Sequence, residues 1–266
     1  MNKSADEMPI SGVSPDVACH LFSEDEWLRE PVPLPCEMSL AIHVNGQELV
    51  TVLCTPAKLN CLVIGYLYSE GIISGTGEVA SMRICEEEPI ADVRLNKEYT
   101  PPPRRTLTSG CGSGVSFNII GQKVESDLMA TPEEVLSLMK QLHDSQSLFQ
   151  QCGGTHCSAL CDRRQILVTA EDIGRHNTLD KILGECLLRG ISTQDRILLT
   201  TGRISSEMLL KAARMQTPII VSRGSPTERA ISLGHELGIT VVGYARGRRL
   251  SVFSGEWRLQ APVSKT

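Results

Sequence analysis

One thiol in this chain sits where nothing bulky surrounds it. The run Thr108-Ser109-Gly110-Cys111-Gly112-Ser113-Gly114 sets a cysteine among three glycines and small hydroxyl residues. Glycine permits backbone conformations and close approaches that a Cβ forbids. Such a loop leaves a thiol open to attack and surrounds it with N–H groups able to stabilise a thiolate. The same run is also readable as an ordinary turn with a passenger cysteine. Just upstream, Pro101-Pro102-Pro103-Arg104-Arg105 reads as a stiff spacer followed by two positive charges. The candidate chemistry is nucleophilic, with Cys111 as the catalytic residue.

The chain has ten cysteines, and none forms a Cys-x-x-Cys pair. Cys54, Cys61 and Cys186 stand in apolar surroundings, where cysteine serves as a small buried hydrophobe. The run Cys152-Gly153-Gly154-Thr155-His156-Cys157-Ser158-Ala159-Leu160-Cys161 is the one rival for metal binding, and its spacing matches no common zinc module. No metal ligand is assigned. Without a secretory leader a disulfide framework is not expected. With no apolar run long enough to span a bilayer either, a cytoplasmic location without membrane insertion is the expectation.

A second chemistry is written at the ends of the expected strands. In open α/β sheets, ligands bind beyond the carboxyl ends of the strands. Those ends carry Glu171-Asp172-Ile173-Gly174-Arg175-His176-Asn177, Thr200-Thr201-Gly202-Arg203, Ser222-Arg223-Gly224-Ser225 and Tyr244-Ala245-Arg246-Gly247-Arg248-Arg249. Each holds arginine and glycine. Arginine forks match phosphate oxygens, and glycines let backbone N–H groups approach them. A nucleotide-like or pterin-phosphate ligand would suit such an edge. No Gly-x-Gly-x-x-Gly follows a strand and no Gly-Lys-Ser/Thr occurs, which argues against dinucleotide redox and P-loop hydrolysis. His176 and Asp172 have two readings, as base and orienter for a nucleophilic cysteine or as residues that open a helix.

Elements must position these groups. Residues 1–30 read as a polar, irregular tail. Residues 31–105 read as a small α+β unit. It has alternating apolar runs around Asn45-Gly46, a hairpin signal, an apolar helix from Leu59 to Tyr68, and strands near Met82–Cys85 and Asp92–Leu95. Residues 106–266 read as a larger unit carrying the Cys111 loop. Thr131-Pro132-Glu133-Glu134 predicts a capped helix from Pro132 to about Leu148, followed by strands around Asp162-Arg163. Strands and helices then alternate: helices over His176–Arg189, Ser205–Met215 and Thr227–Leu237, strands over Arg196–Thr200, Pro218–Ser222 and Thr240–Tyr244. That rhythm predicts an α/β fold with a largely parallel sheet covered by helices.

Composition narrows the partners. Of the 266 residues 41% are apolar and 21% charged, which is ordinary for a soluble globular protein. Aromatics are only 4% and the net charge is −5, so neither a stacking platform nor a general pull toward nucleic acid is expected.

Several stretches together resemble one family. They are Tyr68-Ser69-Glu70-Gly71-Ile72-Ile73, Thr108 to Gly112, Gly154 to Ala159, Glu171 to Lys181, Thr201 to Met208, Ser222 to Thr227 and Gly243 to Arg248. Across Leu34 to Leu259 the chain is similar to the FdhD/NarQ family of formate dehydrogenase accessory sulfurtransferases. The resemblance implies a larger domain with the cytidine deaminase fold. It also implies a homodimer, a cysteine desulfurase as sulfur donor, and the formate dehydrogenase catalytic subunit as the protein served. Cys111 matches the cysteine that holds a persulfide. The sulfur would pass to a molybdenum or tungsten bis-pterin guanine dinucleotide, Mo-bis(molybdopterin guanine dinucleotide) in the molybdenum case. Tyr244, Ala245, Arg246, Gly247, Arg248 and Arg249 match the loop assigned to that cofactor. Arg203, Ser222, Arg223 and His176 would hold its pyrophosphates and guanine end. Many members read Cys-Gly-x-Cys, but here the fourth position is Gly114, so a second loop thiol is absent. Zinc deamination is not expected, because no His-x-Glu with Pro-Cys-x-x-Cys occurs. The alternative is a non-catalytic chaperone that holds the bis-pterin guanine dinucleotide and delivers it. A cysteine hydrolase using Cys111 and His176 is a third reading.

Overall fold

The structure is a computed structural model, and it describes residues 12–15, 17–85, 88–99, 106–107, 115–116 and 122–260. The stretch expected to be irregular contains a hairpin, β1 (Val17–Ser23) paired with β2 (Glu26–Val32). Glu24 and Asp25 turn it with φ of 53° and 66°. Asp tolerates positive φ but Glu does not favour it, and without a following glycine the pair is only a weak turn signal.

Next comes a four-stranded sheet in the order β4-β3-β6-β5, from β3 (Met38–Val44), β4 (Gln47–Cys54), β5 (Val79–Cys85) and β6 (Ile90–Leu95). Asn45-Gly46 makes the β3–β4 turn, as its residue types require. One face of this sheet buries Leu40, Ile42 and Val44 against helix α1 (Leu59–Ser69). Helix α1 is apolar nearly all round because it is covered on both sides.

The larger unit is a six-stranded sheet in the order β10-β9-β11-β12-β13-β14. Its strands are β9 (His156–Cys161), β10 (Ile166–Asp172), β11 (Ile197–Thr200), β12 (Ile219–Ser222), β13 (Thr240–Arg246) and β14 (Arg249–Ser254). Between β6 and β9 lie a short hairpin, β7 (Thr106–Leu107) with β8 (Val115–Ser116), and two helices, α2 (Pro132–Asp144) and α3 (Ser147–Cys152). The remaining helices are α4 (Arg175–Arg189), α5 (Ser206–Arg214) and α6 (Glu228–Leu237). The α/β architecture is the one the strand–helix rhythm predicts. Within this sheet parallel pairing is confined to β11, β12 and β13, while β9 pairs antiparallel with both β10 and β11, and β14 with β13. Continuous apolar runs such as Ile197-Leu198-Leu199 follow from burial on both faces. Leu198, Ile220 and Val241 face α4, α5 and α6, whereas Leu199, Val221 and Val242 face α2.

The two units meet backbone to backbone. A Cβ on Gly65 of α1 would overlap the Asp180 carbonyl, and one on Gly184 of α4 would overlap the Cys61 carbonyl. Only glycine at both positions lets these helices cross so closely. A buried ion pair then pins α4 to the end of β4. Lys181 Nζ reaches Asp172 Oδ2 at 2.5 Å and donates to the carbonyls of Thr55 at 3.0 Å and Glu171 at 3.3 Å. Asp172 also accepts from the backbone N–H groups of Thr55 and Gly174 and from Asn177 Nδ2. Burying two charges costs several kcal/mol per ion unless every donor and lone pair is used, and here all three ammonium donors have an acceptor.

The helix expected from Pro132 to Leu148 is broken. Thr131 and Glu134 form the predicted capping box, but α2 stops at Asp144 and α3 starts at Ser147. Glu171, from the end of β10, accepts from the backbone N–H groups of Leu148 and Phe149 at 3.0 Å and from Ser147 Oγ at 3.1 Å. A carboxylate 22 to 24 residues downstream thus caps a second helix, a tertiary contact with no local sign.

Candidate functional site

The loops at the carboxyl ends of β11, β12 and β13 are stitched into one surface. Ile204 N donates to Ser225 O at 3.1 Å, Thr227 N to Ile204 O at 2.9 Å, and Tyr244 N to Gly224 O at 3.0 Å. Ser222 is fully buried; its Oγ donates to Gly202 O at 2.6 Å and accepts from Gly224 N at 2.8 Å. Ser222 therefore ties two loops together instead of facing a ligand. Ala245 is likewise buried, in the core under α2.

Tyr244 holds φ at 54°, a left-handed conformation costing a non-glycine residue on the order of 1 kcal/mol or more. The residue remains 44% exposed, and its ring leans on Phe253 with centroids 6.1 Å apart. Beyond it Arg246 pairs with Arg249, and Gly247, with φ of 61°, leads the two-residue turn into β14. The segment expected as a loop is therefore the tip of a hairpin. Gly247-Arg248 between two apolar runs is a hairpin signal in its own right, and it marks β14 in the sequence.

A cavity of about 190 Å³ opens beside this tip. Arg223, Arg246 and Gly247 form one wall, and Lys140 and His143 of α2 form the other. Leu136, Met139 and Ala245 complete the lining. Of the candidate binding residues, Arg223, Ala245, Arg246 and Gly247 meet here; Arg203, Arg248 and Arg249 are exposed on the same edge without lining the cavity. Lys140 and His143 were missed because nothing local says that the last turn of α2 passes over the strand ends.

His176 lies elsewhere, in the first turn of α4. Its Nε2 is 3.2 Å from Ser205 Oγ and 3.3 Å from Glu207 Oε2. Burial, reinforced by the positive charges of Lys211 and Arg175, pushes its pKa down to about 3. Burial also pushes the Glu207 carboxyl up. The imidazole is neutral at physiological pH, so the contact is a hydrogen bond and not an ion pair. Asp172, the proposed orienter, spends its oxygens on Lys181, Thr55, Gly174 and Asn177. Arg175, His176 and Asn177 form the first turn of α4, whose N-cap is Gly174 with no side-chain cap, and the Asp172 oxygens are engaged by partners other than His176.

Cys157 and Cys161 are fully buried in the core beneath α2. Burial pushes Cys157 up to about 12, raises Cys161 as well, and keeps both as thiols at neutral pH. Cys54, Cys61 and Cys186 are buried as expected. Among the described residues, no group of three or more His, Cys, Asp or Glu side chains is disposed to hold a metal ion, and no helix is long and apolar enough to cross a membrane. Cys111 lies outside the described residues.

Comparison with known proteins agrees with this architecture. The chain is 42% identical over 236 residues to the sulfur carrier protein FdhD of Listeria innocua, a match covering 84% of this chain and 90% of that one. It is 39% identical over 236 residues to the protein of the same name from Bacillus subtilis, covering 84% and 89%. A crystal structure from Desulfotalea psychrophila, described as a formate dehydrogenase accessory protein, superposes with a TM-score of 0.79 at 26% identity, covering 94% of this chain and all of that one. The sequence signature described as the FdhD/NarQ family matches residues 35–260, and the chain belongs to that family.

Proposed function

We propose that this protein is a sulfur carrier in the maturation of formate dehydrogenase, and that Cys111 is the carrying residue. The observation behind this reading is the match, over most of the chain, to proteins named sulfur carriers. In the proposed cycle the Cys111 thiolate attacks the outer sulfur of a persulfide on a cysteine desulfurase. The donor's S–S bond breaks, the donor cysteine leaves as a thiolate, and Cys111 holds the persulfide. On delivery an electron pair of the acceptor forms a bond to the outer sulfur as the new S–S bond breaks, and the S–S pair stays on Cys111, which is left as a thiolate. Attack depends on thiolate fraction and access, and the glycines around Cys111 favour both.

The substrate of the second step, in this reading, is the molybdenum or tungsten bis-pterin guanine dinucleotide. The cationic strand-end edge suits its phosphates: Arg203, Arg223, Arg246, Arg248 and Arg249 gather there in a chain of net charge −5. Holding the dinucleotide tail makes delivery an effectively intramolecular step. A homodimer and a cytoplasmic site of action belong to the same proposal.

Intact-protein mass after incubation with a cysteine desulfurase and cysteine tests it. A gain of sulfur on the wild type, reversed by reductant and absent from Cys111→Ala, is the expected result. Equal sulfur on both proteins would move the site to another cysteine. No sulfur on either would sink the carrier reading in favour of a cofactor chaperone.

A further inference from the structure

We propose that the last turn of α2 forms the second wall of a phosphate subsite, in which Lys140 joins Arg223 and Arg246 around a phosphate ester. The proposal rests on the cofactor-binding reading above and assigns it residues that neither the strand-end pattern nor the family motifs contain. Three cations and no carboxylate line the cavity between α2 and the β13–β14 tip. No described carboxylate forms an ion pair with Lys140, Arg223 or Arg246. Like charges gather without neutralisation where a ligand supplies the opposite charge. The negative end of the α2 dipole, worth about half a charge, is too small to offset three cations.

His143 explains how the guanidinium is held without being neutralised. Its Nδ1 faces two donors, Arg223 Nη1 at 3.2 Å and Gln146 Nε2 at 3.3 Å. Neither donor can accept a proton, so Nδ1 is the acceptor and the ring proton sits on Nε2. Arg223 is thus oriented by a neutral partner and keeps its full charge and its remaining N–H groups for a ligand. Such pre-orientation reduces the ordering that binding would otherwise require.

The lining of the cavity divides into a cationic part and an apolar one. The phosphate lies among Lys140, Arg223 and Arg246, and the organic part rests on Leu136 and Met139. The rest of the ligand extends along the exposed arginines of the edge.

Calorimetric titration with guanosine diphosphate, and with guanosine as the phosphate-free control, tests this on the full chain. Lys140 is exposed, so Lys140→Gln and Lys140→Arg are expected to fold, and thermal melts verify it. Lys140→Gln should weaken guanosine diphosphate by about tenfold, the scale of one charge-assisted hydrogen bond, leave guanosine unchanged, and be rescued by Lys140→Arg. If Lys140→Gln binds like wild type while Arg246→Ala does not, the α2 wall is overturned and the strand-end reading stands. If wild type does not bind guanosine diphosphate, both are overturned.

Discussion

Two cavities with arginine in their walls lie toward opposite ends of α2, and they differ in charge balance more than in size. At the start of the helix a cavity of about 400 Å³ is lined by Arg163, Arg164 and Arg196 together with Glu134, Asp162 and Asp195. Arg163 pairs there with Glu134 at 2.7 Å, and backbone N–H groups of Arg164 and Gln165 cap Asp162. At the end of the helix the cavity is half that size, with three cations and no acid. Volume would select the first and electrostatics the second. A charge balanced by its neighbours is already in use by the fold. An unbalanced one is held ready for a partner from outside, at a standing cost in self-repulsion.

The same distinction separates the two parts of the Glu171–Lys181 segment from the arginine edge, and it gives the largest expected effect. Lys181→Met removes one partner of a fully buried pair and leaves Asp172 charged without compensation. The expected loss is about 3–5 kcal/mol of unfolding free energy, read by denaturant titration. Ligand affinity of the folded protein should stay within about threefold of wild type, the scatter of a change that touches no contact. A loss of affinity without a loss of stability would place Lys181 in the site and dissolve the contrast.

Next in size is the converse change. Arg223→Glu combined with Arg246→Glu reverses charge where nothing balances it. Guanosine diphosphate affinity should fall by at least about a hundredfold, two charge-assisted contacts being lost and repulsion added. Unfolding free energy should move by no more than about 1 kcal/mol, because Arg223 gives up only its exposed hydrogen bond to His143 and no ion pair is lost. Intact affinity in this variant would show that the edge is a solvated surface.

Glu134→Ala probes the balanced cavity. Glu134 closes the capping box at Thr131 N, 2.8 Å away, and pairs with Arg163. Losing the cap costs about 1 kcal/mol, and the exposed ion pair adds little; ligand affinity should not change. Burial works to raise the carboxyl's pKa, but Arg163 and the Thr131 N–H outweigh it and hold it below the usual 4.5. A folded pKa below the unfolded one stabilises the fold above the unfolded value. The stability gap between wild type and Glu134→Ala should therefore be full above pH 4.5 and close as pH falls through the lower folded value. A gap unchanged at low pH would mean that the methylene groups, not the charge, carry the effect.

What the sequence made legible divides along the same line. Local chemistry was readable: Asn45-Gly46 marks its hairpin, Thr131 to Glu134 mark the start of α2, and Gly190 and Gly238 end α4 and α6 in left-handed conformation. The strand-end arginines were readable too, because the carboxyl edge of a sheet follows from strand order along the chain. Three features were not, since each depends on a partner distant in sequence. Glu171 breaks the helix after α2 from another element, and Lys140 becomes a cavity wall only once α2 lies on the sheet. Asp172, read in the sequence as an orienter for His176 or an opener of the helix, is the counterion of Lys181 once Thr55 and Asn177 close around it. The antiparallel strands β9 and β14 diluted the expected parallel sheet for a related reason: alternation of elements counts crossovers but does not say on which edge a strand is added.

Salt gives the smallest effect and separates the two cavities without any mutation. Between about 0.1 M and 1 M monovalent salt the Debye length falls from about 10 Å to about 3 Å. Contacts between exposed arginines and a phosphate weaken under that change, and guanosine diphosphate affinity should drop by about threefold or more while guanosine is unaffected. The balanced cavity has little to lose, because its exposed pair contributes little at any salt concentration. Stability of wild type relative to Glu134→Ala should therefore move by only tenths of a kcal/mol. Should guanosine and its diphosphate respond to salt alike, the three cations would not be touching the phosphate, and the charge imbalance at the end of α2 would need another occupant.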